Sequence, residues 1–341
     1  MPGDKTASPP SPELFLDGVR AFHTTAALKA AIALDLFSHV AAGVDKPDSL
    51  AQMTGAAPRG LRILCDFLTV AGYLEKSAER YALTPSSGIF LDRRSPAYVG
   101  SIIEFLASPE MLEMFFHDPT AFVRKGGAGG SGTVGPDDPV WVKFARAMAP
   151  FIAPVAQATG AILSADGPPL HRVLDIAAGH GLFGLEIALR QAQARVTAVD
   201  WKNVLDVAAE NYRAKAIADR LERKPGSAFD VDFGTSYDLA LLTNFLHHFD
   251  EATCISLLRK VHAALRPGGR AAATEFVPDE GRVSPPMPAS FAFIMLATTP
   301  AGDAYTYREL DRMFRAAGFA GTQAHKLLPS PQTLVVAAKP G

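Results

Sequence analysis

The chain has 341 residues, 48% apolar and 20% charged, a length that suggests about two domains with ample core. Lys and Arg number 33 against 35 Asp and Glu, a net charge of −2, which argues against nucleic acid or an anionic membrane as the partner. No run is expected to reach the ~18 to 20 apolar residues of a bilayer span, and the Pro-rich start MPGDKTASPPSPE lacks the apolar core of a signal peptide.

Residues 1–13 therefore read as a loose tail. From Leu14 to Val40 the pattern is apolar and Ala-rich, a long helix or a helix pair. Pro47 to Gly55 predicts a short helix with Asp48 or Ser49 as its N-cap. Pro58 opens another, with Leu61, Leu64, Cys65 and Leu68 at helical spacing and Gly72 as its stop. YLEKSAERYALT follows as a hairpin with a polar turn. Helix, helix, hairpin suggests a winged-helix unit. Its would-be recognition helix carries only Arg59 and Arg62, offset by Asp66, so the unit reads as a packing or dimerisation element, not a DNA reader. Helical patterns continue from Tyr98 to Lys125, closing an N-terminal domain over 14–125. GGAGGSGTVGPDDP is the most linker-like stretch; with the helix VWVKFARAMAPFIAPVAQATGAIL it forms a connection over 126–169.

From residue 170 to 341 strands and helices alternate. RVLDIAA, RVTAVD, YDLALLTNFL and RAAATEFV read as strands, and Leu182–Arg190, Val204–Ala218, Ala252–Leu265 and Tyr307–Ala317 as helices. Near-continuous apolar strands suit a parallel sheet covered on both faces. GTQAHKLLPSPQTLVVAAK gives two strands around a Pro/Ser turn, an antiparallel hairpin that closes the sheet. The fold class is α/β, a doubly wound Rossmann-like sheet ending in that hairpin, behind a mostly helical N-terminal domain. Cys65 and Cys254 lie far apart in apolar helical patterns. They are expected to be buried thiols, with no disulfide and no metal site, which fits a reducing cytoplasm.

VLDIAAGHGLFG, residues 173–184, sits where a strand gives way to a helix. A small-residue loop there lets backbone N–H groups approach a ligand at the positive end of the helix. Asp175 is a carboxylate near the tip of an apolar strand, costly unless partnered. Asp200 ends the second strand, where an acidic residue meets ribose hydroxyls in dinucleotide folds. Together with Gly179 and Gly181 they point to a nucleoside-binding crevice. Gly179, Gly181 and Gly184 satisfy G-x-G-x-x-G, so a nicotinamide cofactor is not excluded by spacing; the carboxylate four residues earlier and the closing hairpin are departures from that pattern.

From Leu14 onward the chain resembles class I S-adenosylmethionine-dependent methyltransferases, in particular plant-type and bacterial small-molecule O-methyltransferases with an N-terminal winged-helix dimerisation domain. VLDIAAGHG matches the glycine loop, VTAVDW the acidic second strand, and GSAF (226–229) the adenine-side strand end. NFLHHFDE matches the segment of the general base; LRPGGRAAATEFVP and DAYTYRELDRMFRAAGF match the closing motifs. The resemblance implies S-adenosylmethionine as cofactor, with Ala177, Ala178 and Gly179 near its methionine part and Asp175 behind the loop. It implies Asp200 on the ribose, Trp201 on the adenine, Ser227, Ala228 and Phe229 at the adenine edge, and Thr243 where the family often has lysine. It implies His247 as base and Glu275 as the carboxylate orienting it. Met148, Phe151, Phe291, Phe293 and Met295 fall in helices the family places over the acceptor, or in ordinary core.

Histidine suits the chemistry. Methyl transfer from a sulfonium is an in-line displacement by an aligned nucleophile, and an imidazole can take a hydroxyl proton near neutrality. His248 is the rival, since neighbours on a strand point opposite ways; it is assigned a turn or capping role with Asp250. Three departures stand out: Ala177 and Ala178 replace glycines and crowd the cofactor's approach, Ser227 replaces an acidic residue, and Ala304 replaces a second ring-orienting glutamate, with Asp303 beside it as a substitute. The expected function is methyl transfer to a hydroxyl of a small aromatic or polyketide-like molecule by a homodimer. C- or N-methylation, a non-catalytic cofactor-binding or winged-helix regulatory protein, and a nicotinamide-dependent oxidoreductase stay open.

Overall fold

The computed structural model describes residues 10–128, 138–165 and 167–341; the tail over 1–9 and most of the Gly-rich linker, 129–137, lie outside the described residues. The chain divides into two units, Met1–Ser108 and Pro109–Gly341.

In the first unit α1 (Glu13–Ala33) and α2 (Leu36–Ala41) form the expected helix pair, followed by α3 (Pro47–Thr54), α4 (Pro58–Val70), a hairpin of β1 (Leu74–Ser77) and β2 (Arg80–Leu83), and the short helices α5 (Pro85–Phe90) and α6 (Ile102–Leu106). Its core gathers Leu36, Phe37, Leu50, Leu61, Cys65, Leu68 and Tyr81, so the i, i+3, i+4, i+7 stripe of α4 is the face it buries. Neither Asp48 nor Ser49 caps α3: Lys46 is the N-cap, with no side-chain cap bond, and Pro47 opens the helix at N1. Proline there gives up an N–H that would have had no partner, which makes a side-chain cap less necessary.

The second unit begins earlier than the sequence suggested. α7 (Pro109–Phe116) and α8 (Pro119–Lys125) belong to it, because Phe115 and Phe122 pack on Phe293 of a later helix. α9 (Pro139–Ala165) follows. Contrary to expectation, α9 is long and apolar enough to cross a membrane by length and composition, at mean hydropathy 1.3. Its Ile152, Val155, Ala156 and Leu163 lie in the core with Phe183, Leu185 and Ile187.

The remaining order is β3 (Arg172–Ile176), α10 (Leu182–Arg190), β4 (Arg195–Asp200), α11 (Lys202–Ala214), β5 (Leu221–Pro225), β6 (Tyr237–Thr243), α12 (Glu251–Ala264), β7 (Leu265–Glu275), α13 (Pro286–Thr298), α14 (Tyr307–Ala316), β8 (Thr322–Lys326) and β9 (Thr333–Ala338). The sheet runs β5-β4-β3-β6-β7-β9-β8, with β3 to β7 parallel and β9 antiparallel to both of its neighbours, β7 and β8. Every residue of β6 is buried. The chain winds outward from β3 to β5 and then returns beside β3 with β6, so the carboxyl ends of β3 and β6 flank the switch point where such sheets bind ligands.

At the opposite end, Asp238 ties three strands together. Its Oδ2 accepts the backbone N–H of His171 at 2.7 Å and of Arg172 at 2.8 Å, and its Oδ1 accepts Arg266 Nε at 2.5 Å. Burial raises this carboxyl, but the guanidinium and the two N–H groups outweigh burial and hold it below its ordinary range. Its stabilising contribution is therefore present above the ordinary carboxylate pKa and is lost as pH falls through the depressed value. Asp238→Asn is expected to cost about 1–3 kcal/mol at pH 7, a deficit that shrinks toward about pH 3. Urea midpoints at both pH values test it; a deficit of equal size at both would sink the assignment.

Candidate active site

The loop after β3 shows why its small residues are needed. Ala177, Gly179 and Gly181 all have positive φ, +52°, +57° and +70°. A Cβ at Gly181 would come within 2.7 Å of Ala208 Cβ, and one at Gly184 within 2.7 Å of Asp175 Oδ2. Glycine at these two positions lets α10 start directly against β3 and α11. A Cβ at Gly179 would meet only the Ala177 carbonyl oxygen, at 4.0 Å, so that turn faces open space.

The two alanines have different surroundings. Ala178 is buried with Ala198 and Leu205, so its methyl lies in the core. Ala177 is half-buried and holds the left-handed conformation at a strain cost of about 1 kcal/mol or more.

Asp200 draws this loop to β4. Its Oδ2 accepts Gly179 N–H at 2.8 Å and its Oδ1 accepts Trp201 N–H at 2.7 Å. Each oxygen keeps a lone pair, the donor-accepting chemistry a ribose diol requires. Asp175 is 1% exposed; its Oδ2 accepts Gly184 N–H at 3.1 Å, while Oδ1 has no partner among the described residues. Burial pushes Asp175 up to about 8 and Asp200 up to about 6, against the backbone hydrogen bonds that lower both. His180, which the sequence reading passed over inside its own motif, is buried and pushed down to about 4 by that burial. Its Nδ1 accepts Leu182 N–H at 3.2 Å, which assigns the ring proton to Nε2.

The adenine-side residues are less uniform. Trp201 packs with Ala145, Val204 and Val207 beside Trp141 and Val142. Ala228 is buried and Phe229 is 40% exposed, edge-on to Phe249 at 5.0 Å. Ser227 turns the chain: its carbonyl accepts the N–H of Val231 and its hydroxyl that of Phe229. Thr243 is buried at the last position of β6.

His247 and His248 are not on a strand. β6 stops at Thr243, Asn244 has φ +54°, and a 3-10 turn spans Leu246–His248. Alternation along a strand therefore cannot separate the two histidines; Glu275 does. Its Oε1 accepts the N–H groups of Phe245 at 3.0 Å and Leu246 at 2.9 Å, while Oε2 lies 2.5 Å from His247 Nδ1. The ring proton is thereby placed on Nδ1, and Nε2 has no protein hydrogen bond among the described residues. His248 makes no such pairing, and burial, with His247 beside it, lowers its pKa well below the ordinary histidine value. Asp250 caps α12 by accepting Thr253 N–H at 2.7 Å.

The His247 ring meets Phe291 edge-on at 4.9 Å, and Phe291 stacks on Phe276 at 4.2 Å. Phe276, next to Glu275, was missed by sequence reasoning although it directly follows a residue singled out. Met295 is buried on α13, while Phe293 turns away toward Phe115 and Phe122. Met148 and Phe151 pack on the α9–α10 core. Ala304 is buried, and Asp303 does not replace the second glutamate: its carboxylate pairs with Arg282 at 3.0 Å. Among the described residues there is no His/Cys/Asp/Glu group able to hold a metal. Both cysteines are buried and free.

Residues 118–320 match the family model of the O-methyltransferase domain, and residues 16–93 that of the O-methyltransferase dimerisation domain. The chain is 27% identical over 326 residues to the tetracenomycin polyketide synthesis 8-O-methyl transferase of Streptomyces glaucescens, covering 94% of each. A solved structure from Nostoc punctiforme, of a proposed O-methyltransferase, superposes with a TM-score of 0.93 at 47% identity, covering 97% of this chain and 100% of that one. Human N-acetylserotonin methyltransferase in complex with S-adenosylmethionine shares the fold at a TM-score of 0.83 and 20% identity, over 98% and 99% of the two chains.

A raised folded-state pKa stabilises the fold below the ordinary carboxylate range, and that contribution is lost as pH rises through about 6 for Asp200 and about 8 for Asp175. Asp175→Asn removes the larger loss. Between pH 5 and 9 its Tm is expected to fall less than that of the wild type, by a difference equivalent to a few kcal/mol. Calorimetry without cofactor measures this, and parallel curves would refute it.

Proposed function

The chain belongs to the O-methyltransferase family, and from that premise we propose that His247 is its general base toward the hydroxyl of a flat aromatic or polyketide-like acceptor. It is an S-adenosylmethionine-dependent enzyme that methylates a hydroxyl of a small molecule. When bound, S-adenosylmethionine supplies a methyl group on a sulfonium already activated for in-line displacement.

The protein's own tasks are then to hold the two substrates in line, to exclude water and to accept a proton. The Asp200 carboxylate would accept the ribose hydroxyls, and the main chain of Ala177–Gly179 would border the methionine part, with Asp175 behind it. Trp201, Ser227, Ala228, Phe229 and Thr243 would surround the adenine side. The observation that carries the base assignment is the Glu275 Oε2 to His247 Nδ1 contact at 2.5 Å. It orients the ring, leaves Nε2 to take the hydroxyl proton, and stabilises the imidazolium that forms.

The acceptor class rests on two supports. Phe276 and Phe291 form a stacked aromatic wall beside His247, suited to a planar molecule, and a relative's name joins it to polyketide synthesis. Met148, Phe151 and Met295 would complete the surroundings. A homodimer is supported by the dimerisation-domain match and by α1, which leaves Leu14, Phe15, Val19 and Phe22 between 53% and 87% exposed. Such an unpartnered apolar face suits a second copy of the chain. The two buried free thiols support a cytoplasmic setting.

His247→Ala is expected to lower kcat on a hydroxylated aromatic acceptor by about 10²–10⁴-fold, with calorimetric affinity for S-adenosylhomocysteine kept within about twofold, because only the proton-accepting group is removed. Full activity in the variant would disprove the base. Binding of NADH in place of S-adenosylhomocysteine would overturn the cofactor assignment.

A further inference from the structure

Arg282 lies in the loop between β7, which ends in Glu275, and α13, which carries Phe291. It holds a left-handed φ of +58°, strained for an arginine, so the surrounding contacts must hold it. Its Nη2 donates to both carboxylate oxygens of Glu309 at 2.6 Å, and its Nη1 donates to Asp303 Oδ2 at 3.0 Å and to the Ala304 carbonyl at 3.1 Å. Glu309 is itself fixed, since its carboxylate accepts Thr306 N–H at 2.8 Å in the capping box of α14. The planar five-donor fork of arginine can join two carboxylates and a carbonyl at once; a lysine cannot reproduce that geometry.

The segment so anchored touches the site. Asp303 N–H donates to the carbonyl oxygen of His247 at 3.0 Å. The neighbouring Gly302 lies so close that a Cβ there would collide with the same oxygen and with Thr299 Oγ1. Thr299 Oγ1 in turn accepts Gly302 N–H at 2.8 Å and donates to Met295 O at 2.7 Å, joining this segment to the last turn of α13. Arg282 thus ties the strand-to-helix loop entering α13 to the loop leaving it, and the latter borders the His247 turn.

We infer that Arg282 is a positioning residue for methyl transfer: through Asp303 it holds the backbone of His247 and the two ends of α13, so that the imidazole and the Phe291 wall keep one arrangement. This rests on the assigned O-methyl transfer. It also accounts for Ala304 at the place of the second ring-orienting glutamate. The Asp303 carboxylate is turned outward to the arginine, and the hold on His247 comes from a backbone N–H.

The test uses the full-length protein and Arg282→Met, which keeps much of the length and removes the fork. In hydrogen exchange without ligand, amides of 300–306 and 245–249 should exchange faster by about fivefold or more, with 174–184 unchanged. On an acceptor the wild type methylates, kcat should fall about tenfold while KM for S-adenosylmethionine and S-adenosylhomocysteine affinity stay within about twofold. Arg282→Lys should recover part of kcat. Unchanged exchange, unchanged kcat, or an equal loss in exchange protection at 174–184 and in cofactor affinity would each overturn the inference. The exchange is read without an acceptor, so a wild type that methylates nothing would count against the assigned reaction and leave this test standing.

Discussion

One buried carboxylate, Glu275 at the end of β7, organises the reactive end of the sheet. A carboxylate alone in this setting would cost several kcal/mol, yet Glu275 is 3% exposed and has three donors: two backbone N–H groups and the His247 ring. Each charge-assisted bond is worth about 1.5–3 kcal/mol, enough together to offset the burial. The same three bonds fold the chain after β6 into its 3-10 turn. Ring orientation and backbone geometry therefore have a common cause, and neither can change without exposing the other's partner. Cys254 adds a weaker support from below, its Sγ donating to the Leu246 carbonyl at 3.2 Å.

The second constraint is topological. Because β3 and β6 are neighbours whose connections leave in opposite directions, the loop carrying Gly179 and the turn carrying His247 emerge on either side of one crevice. Asp200 joins the next strand to that crevice by accepting Gly179 N–H. The strain held at Ala177 is local and small beside the burial of β3, the strand it follows. A backbone conformation usually assigned to glycine is tolerated here because the neighbouring Ala178 methyl is held in the core.

Legibility in the sequence followed apolar content and period. β3, β4, the start of β6 and the helix at 182–190 could be placed almost to the residue, since buried parallel strands and an amphipathic helix leave strong patterns. β5 was not recognised as a strand: LERKP is an edge strand with mostly exposed, charged positions, and such strands carry little hydrophobic signal. The 3-10 turn at 246–248 was read as strand because Phe245 and Leu246 prolong the apolar run, while the Asn244 break is visible only in φ. Asp175 and Asp200 were legible as chemistry because each is a carboxylate near the end of an apolar strand, whereas His247 and Glu275 were legible through the family resemblance of NFLHHFDE and ATEFV. Arg282 was not, since its partners at 303, 304 and 309 are brought to it by folding and share no spacing with it.

α13 is apolar around its circumference because it is used from two sides. Phe291 faces the His247 ring and Phe276, while Phe293 packs on Phe115 and Phe122 of α7 and α8. An amphipathic pattern could not appear in a helix with two apolar faces. Such a helix also cannot shift toward solvent without losing aromatic contact on one side or the other. Its freedom is therefore concentrated at its two ends, and both ends are held by hydrogen bonds that converge on the 279–284 loop and on Thr299. In-line transfer demands alignment to a fraction of an ångström. The packing of α13 sets its position coarsely, and these polar ties at its ends supply the finer fix.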